Sequence, residues 1–435
     1  MEPLERWIDR QYRYSAGAML ASVSPVTIVK SRPFFGQTVR PRKGSIVASP
    51  VLAAYDPDPD YFFHWYRDSA VVVEALRLLH ADGMVGEETR ATLADFVSFN
   101  RSLQQLDGRK LAASPAWRQS VDPGFVQYLR SDAELADVHG EAVAADTRIN
   151  PDATLDISKW ARPQFDGPSL RALALLRWMS GLDRTVAAQA AELIRADLAF
   201  AAAHWRTPSF DIWEEEQGSH YYTLCVAGAA LEEGAAWLED SGERRVAHHY
   251  RTESGEIWRS LDEFWAPAEE YFRSRVLSGG AASRKELDIA VILAAIHAQR
   301  TGTRHSVHDP RMHATLARLE ALFSDAYPIN HKRDARRGPA MGRYANDVYY
   351  SGGAYYFATL GAAEFCFRAA AGGSGSRAWI ERGDAYLETV RAFTPAGGEL
   401  SEQFDKSTGA QTSARHLAWS YAAFISCVTA RRQVA

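Results

Sequence analysis

Apolar residues recur along this chain at the i, i+3, i+4 spacing of amphipathic helices, and the period-2 alternation of half-buried strands is scarce. Met312, Leu316, Leu319 and Phe323 show the helical period plainly. Read this way, the pattern predicts about twelve helices, each bounded by Gly, Pro, Ser or Asp, beginning near Leu4, Asp68, Glu87, Ser169, Arg184, His220, Arg244, Glu286, Arg311, Gly353, Arg377 and Ala414. Many are rich in Ala and Gly, as in 226–230, which lets helices approach closely and pack as antiparallel hairpins. Six hairpins close naturally into an all-α, (α/α)6 barrel. The stretch 107–152 lacks periodicity for longer than a compact domain usually tolerates and is expected to be an ordered excursion over one rim.

The connecting segments fall into two kinds. Those before odd-numbered helices, such as 83–86 and the Gly-rich connector 371–376, are short and bland. Those before even-numbered helices carry aromatic and charged residues: YFFHWYRD (61–68), KWARPQFDGP (159–168), FDIWEEEQGS (210–219), GRYANDVYYSGG (342–353) and SEQFDKSTGAQTSAR (401–415). In an up-and-down array all even-helix N-termini emerge at one end, so these loops are expected to converge on one rim, where a rigid scaffold presents a site.

Composition narrows the chemistry. The 435 residues have ordinary globular composition and enough length to bury a large core, and their formal net charge of −5 supplies no positive field for phosphates, so nucleic acid is not expected as a partner. Twelve Trp and eighteen Tyr suit the flat apolar faces of sugars as well as protein cores. Cys225, Cys366 and Cys427 lie in apolar, Ala-rich runs and imply no disulfide framework. No metal-ligand spacing, charged-then-apolar leader or membrane-length apolar run is present, and the expectation is a soluble, cytoplasmic, single-barrel protein over 1–435 without metal, cofactor or membrane partner.

Cleavage of a glycosidic bond requires one protonated and one ionised carboxyl group. Glu214, Glu215 and Glu216 follow Trp213 directly, where mutual repulsion and partial burial are expected to raise at least one pKa; acids set against a helix dipole account equally well for such a triplet. Glu402 lies in a second polar loop, and on local spacing alone it reads as an ordinary solvated carboxylate. Arg67 and Asp68 stand side by side amid Tyr61, Phe62, Phe63, Trp65 and Tyr66, a setting that calls for either a structural ion pair or a polar ligand.

Four segments together are specific. DPDYFFHWYRDSAVV, WARPQFDGPSLRA, FDIWEEEQGSHYYT and LSEQFDKSTGAQTSARHLAWSYAA, preceded by KGSIVASP, resemble in order the corresponding segments of the glucoamylase family of glycoside hydrolases, from about Lys43 to Ala423. The resemblance implies inverting, exo-acting hydrolysis of an α-glucan, with Glu214 as general acid, Glu402 as general base, and a carboxyl separation of roughly 6.5–9.5 Å. It also implies that Tyr61 helps hold the water, that Arg67, Asp68, Arg343 and the Ile212 backbone grip the terminal glucose, and that Glu215 and Asp347 shape the next sugar's site. Trp160 and Trp213 would line the pocket, while Trp419 and Gln403 would position Glu402. Two departures fall where outer sugars bind: Glu216 replaces a usually apolar residue, and Tyr355 stands where fungal members commonly carry Trp.

No starch-binding module or preceding β-sandwich domain is recognised, so soluble maltooligosaccharides are expected in preference to granules. The α-1,6 and α,α-1,1 linkages remain same-family alternatives to α-1,4. A non-catalytic sugar-binding barrel would lack one carboxylate, and a sugar epimerase would use a central His; His64 and His220 only flank the motifs.

Overall fold

The computed structural model describes residues 2–54, 57–300, 302, 304–371 and 375–434. Among them, twelve helices of nine residues or more follow one another: α1 (Leu4–Leu20), α2 (Tyr66–Ala81), α3 (Glu88–Leu103), α4 (Asp166–Trp178), α5 (Arg184–His204), α6 (Tyr221–Asp240), α7 (Arg244–Leu261), α8 (Ala290–Ala298), α9 (Pro310–Ala326), α10 (Tyr356–Ala370), α11 (Ser376–Phe393) and α12 (Ala418–Arg432). The even-numbered helices touch in the sequence α2, α4, α6, α8, α10, α12 and back to α2, closing an inner ring. The odd-numbered helices pack outside it, as α7 does on α6 and α11 on α10. This is the expected (α/α)6 barrel.

Inner and outer helices differ as their positions require. α8 reads AVILAAIHA and α6 begins YYTLCVAGAAL, both buried nearly all round, whereas outer α7 buries one stripe formed by Ala247, Tyr250, Ser254, Ile257, Trp258 and Leu261. Close approach explains the Ala and Gly content. A Cβ at Gly228 of α6 would lie 3.1 Å from the Trp258 ring of α7, tighter than ordinary contact. Cys225, Cys366 and Cys427 are buried in α6, α10 and α12.

Helices α8, α10 and α12 start three or four residues later than the hydrophobic period predicts, because their approaches are otherwise employed. Residues 354–355 pair with 403–404, which pair in turn with 411–412, and Asp288 caps α8 by accepting from the Ala290 amide at 2.8 Å. Two further small sheets, 64–65 with 148–149 and 209–210 with 217–220 and 275–277, stitch the remaining rim loops together. The stretch 107–152 forms short helical turns over the same rim, with Val138, Val143 and Ile149 buried against Tyr66 and Phe99. Of the connector 371–376, residues 372–374 lie outside the described residues. No described helix is long and apolar enough to cross a membrane.

Candidate active site

The loaded loops do converge. A cavity of about 270 Å³ opens at the even-helix N-terminal end and is lined by Tyr61, Arg67, Asp68, Trp160, Ile212, Trp213, Glu214, Glu215, Arg343, Glu402 and Trp419, all anticipated from sequence. Trp65, Tyr349, Phe357, Leu417 and Ala48 complete the wall. Phe357 and Trp419, stacked at 4.5 Å, also line a much smaller axial cavity of about 40 Å³, so they form a floor between the two. The site is a pocket open at the rim.

Glu214 sits in a turn that its neighbours hold from several sides. Its amide donates to the Asp211 carbonyl at 2.9 Å, and its φ of 65° places it in the left-handed region, an uncommon conformation for a residue with a Cβ. Asp211 stabilises this turn by accepting from the amides of Trp213 (2.9 Å) and Glu215 (3.0 Å), while Gln164 of the WARPQFDGP run donates to the Asp211 carbonyl at 2.6 Å. Beneath it Arg275, almost wholly buried, gathers Asp211 (2.5 Å), Glu216 (2.9 Å) and Asp288 (2.5 Å). Asp288 also accepts from the Trp213 indole at 2.8 Å, and burial pushes its carboxyl up to about 6 against the pull of Arg275.

The expectation that three adjacent glutamates repel one another is corrected by this geometry. Glu214 faces Arg67 (3.0 Å) and the Trp65 indole (2.8 Å) with one oxygen and the Trp160 indole with the other. Glu215 turns to Arg343 (3.0 Å), Lys285 (2.7 Å) and the Tyr344 hydroxyl, and Glu216 turns to Arg275 and Ser283. The tight turn fans the three side chains toward separate cations, so no common site forms. Glu216 thus serves beneath the acid loop rather than in the pocket wall.

Arg67 opens α2 and is shared among Glu214, Asp166 (3.3 Å) and Asp68 (3.6 Å). Burial raises the Asp68 carboxyl to about 6, opposed by Arg67 and reinforced by Glu214. The glycine after Asp166 is required here. A Cβ at Gly167 would stand 2.5 Å from the Tyr66 Cβ, so only glycine lets the start of α4 bring Asp166 onto Arg67.

Across the pocket, Glu402 is held by the Ser413 hydroxyl and lies 3.4 Å from the Tyr61 hydroxyl, which pairs with that of Tyr349 at 2.7 Å. Burial pushes its carboxyl up to about 7, moderated by the Ser413 hydrogen bond and the charge of Arg343. Arg343 grips Asp347 with two nitrogens (2.6 and 2.7 Å).

Two anticipated residues do not face the cavity. Asp347 lies behind Arg343 and acts on the pocket only through it. Gln403 does not position Glu402; it donates to the Tyr355 hydroxyl at 2.8 Å and accepts from Ser351. Consecutive side chains of an extended strand point to opposite faces, so Glu402 and Gln403 cannot address the same group. Trp419 is in the floor, with Arg67 5.5 Å over its ring, and makes no hydrogen bond to Glu402. Tyr355 is fully buried between Gln403 and Asp347, removed from any outer sugar. Sequence reading missed Ser413, Tyr349, Asp166 and Arg275. Asp166, Tyr349 and Ser413 carried a signal, since all three fall inside the quoted loops, whereas Arg275 did not.

The model of the family described as glycosyl hydrolases family 15 matches residues 144–381 and 376–429. A glucoamylase of Blastobotrys adeninivorans is 25% identical over 90% of this chain and 68% of its own length. A probable glucoamylase of Schizosaccharomyces pombe is 26% identical over 99% and 92%. Among solved structures, the Hormoconis resinae glucoamylase superposes with a TM-score of 0.77 at 25% identity, covering 99% of this chain and 74% of that one. The Saccharomycopsis fibuligera glucoamylase gives 0.79 at 20% identity over 99% and 96%, a likeness of fold. Fold, pocket and relatives together define an α/α-barrel glycoside hydrolase. The chain belongs to glycosyl hydrolase family 15.

Proposed function

We propose that this enzyme is an inverting exo-α-glucosidase that releases β-glucose from the non-reducing ends of α-1,4-linked maltooligosaccharides, with Glu214 as acid and Glu402 as base. The observation that carries the assignment is the unequal placement of the two carboxyl groups. Glu214 abuts Trp160, a rim indole 39% exposed, whereas Glu402 stands across the pocket beside Tyr61, Tyr349 and Ser413, away from any exposed rim residue. In a pocket with a floor, the terminal sugar enters first and the leaving group extends toward the mouth. The carboxyl at the mouth meets the glycosidic oxygen; the enclosed one faces a water on the far side of the ring.

In this mechanism Arg67 and Asp68 bind hydroxyls of the terminal glucose, and Arg343 adds donors from the opposite wall. Glu214 protonates the glycosidic oxygen as the bond to the anomeric carbon breaks. Glu402, with Tyr61 beside it, takes a proton from water as that water attacks the opposite face, giving inverted configuration. Glu215, fixed by Arg343, Lys285 and Tyr344, borders the second sugar. The test is to incubate maltose, maltotetraose, isomaltose, dextran and trehalose with the enzyme and follow released glucose by NMR. β-Glucose, released fastest from the maltooligosaccharides, is expected; α-glucose as the first product would refute inversion.

One observation favours the exchanged assignment: burial makes Glu402 a weak acid, near pH 7, as a proton donor needs. α-Glucosyl fluoride separates the two, because its leaving group departs without protonation. Glu214→Gln should keep most activity on the fluoride while losing it on maltose, and Glu402→Gln should lose both. The reverse pattern would exchange the roles.

A further inference from the structure

Beyond the pocket, the rim carries an aromatic surface that neither the mechanism nor the family motifs use. Phe34 and Phe125 are stacked with parallel planes, centroids 4.4 Å apart and 1° between them, and Tyr128 lies 5.8 Å further along. Phe34 is 49% exposed, Tyr128 52% and Val126 48%, an unusual concentration of large apolar side chains in water. The surface is anchored from below. Phe35, Val121, Leu129 and Ile157 form a small core beneath it, and the Phe34 carbonyl accepts from the Asp122 amide at 2.9 Å, tying the two loops together. The rings are therefore held in place.

Its position is continuous with the pocket mouth. The Lys159 amide donates to the Tyr128 carbonyl at 2.7 Å, Ser158 forms an antiparallel bridge with Leu129, and the Lys159 ammonium donates to the Gln127 carbonyl at 2.9 Å. The next residue is Trp160, whose indole bonds Glu214. A chain leaving the pocket past Trp160 thus meets Lys159 and then the Tyr128–Phe125–Phe34 surface.

We infer that this platform is a binding site for the reducing-side arm of a polymeric α-glucan, engaging sugars well beyond those held in the pocket. Flat rings accept the apolar faces of pyranoses, and Lys159 and Gln127 at its edge supply polar groups for hydroxyls of a neutral ligand. The inference rests on the α-glucan reading above, and it predicts that polymers gain an affinity that maltose does not.

The test compares wild type with Phe34→Ser, Tyr128→Ser and the double variant, all at exposed positions outside the pocket. On maltose, kcat and KM should be unchanged; on amylopectin, KM should rise roughly fivefold in the double variant, as expected for two lost ring contacts, with kcat little altered. In a Glu214→Gln background, native-gel retardation by soluble amylopectin should weaken to match. Retardation and polymer KM equal to the parent would overturn the platform. So would a parallel loss on maltose, or a change of oligomeric state on sedimentation with amylopectin binding intact, which would assign the surface to a second copy. Wild type that hydrolyses neither maltose nor amylopectin would instead refute the α-glucosidase reading, and amylopectin retardation with platform-dependent loss would then still support the binding site.

Discussion

Replacing Glu402 by Gln should abolish turnover and yet make the protein more stable, by an amount set by pH. Burial moves this carboxyl from an ordinary value of 4.5 to about 7. Between those values the folded chain binds the proton more tightly than the unfolded chain, so stability falls as pH rises through the window and is level on either side. At about 1.4 kcal/mol per pH unit, the ionised carboxylate costs the folded state about 3 kcal/mol above pH 7. Gln is uncharged throughout and of nearly the same shape, and its amide can still meet the Ser413 hydroxyl. The variant should therefore match wild type at pH 4 and exceed it by about 3 kcal/mol at pH 8. For 435 residues that corresponds to about 3 °C in Tm. Paired calorimetric scans of both proteins at pH 4 and pH 8 check it. An equal Tm difference at the two pH values, or a destabilised variant at pH 8, would refute the argument that burial governs this carboxyl.

Three other outcomes follow from the same geometry. Ser413→Ala removes the hydrogen bond that holds the Glu402 carboxyl down, so the acid limb of the kcat/KM–pH profile on maltose, expected near pH 7, should move to higher pH; an unmoved limb would dissociate it from Glu402. Gly167→Ala forces a Cβ into Tyr66 and should cost about 1–3 kcal/mol while raising KM, because Asp166 and Arg67 shift together; a variant with wild-type Tm and KM would contradict that coupling. Arg275→Met leaves Asp211 and Asp288 buried without their cation, which should cost about 3–5 kcal/mol and lower kcat through the misplaced Glu214 turn, checked by Tm and by kcat on maltose.

Much of this was legible in the sequence because the barrel is a repeating solution. The helical period alone places twelve elements in order, and the contrast between bland and loaded loops places the active end. Helix starts shifted where the chain makes two-residue strands such as 354–355 and 403–404, too short to show alternation. Glu214 and Glu402 are distinguishable from other acids only through the ordered motifs. Arg275 and Tyr349 were missed because each acts through partners distant in sequence: Arg275 reaches back to Asp211, and Tyr349 to Tyr61. Gln403 was misassigned because adjacency in sequence suggested a shared target, which strand geometry forbids.

The clusters around the pocket also carry a common electrostatic sense. Among the described residues, Asp68, Asp166, Asp211, Glu214, Glu215, Glu216, Asp288 and Asp347 pair with Arg67, Arg275, Lys285 and Arg343, while Glu402 makes no ion pair and feels Arg343 only as a nearby charge. Buried ion pairs of this kind add little stability over well-packed apolar side chains, so stability alone does not account for them. An excess of carboxyl groups has two consequences that do. It reinforces burial in raising both Asp68, to about 6, and Glu402, to about 7, keeping protons available within the site. It also surrounds the anomeric carbon with negative potential as positive charge develops there, and a preorganised field acts on the transition state more strongly than on the neutral sugar. The arginines fix where each carboxylate stands without neutralising the pocket, which is the arrangement that cleavage through an oxocarbenium-like transition state requires.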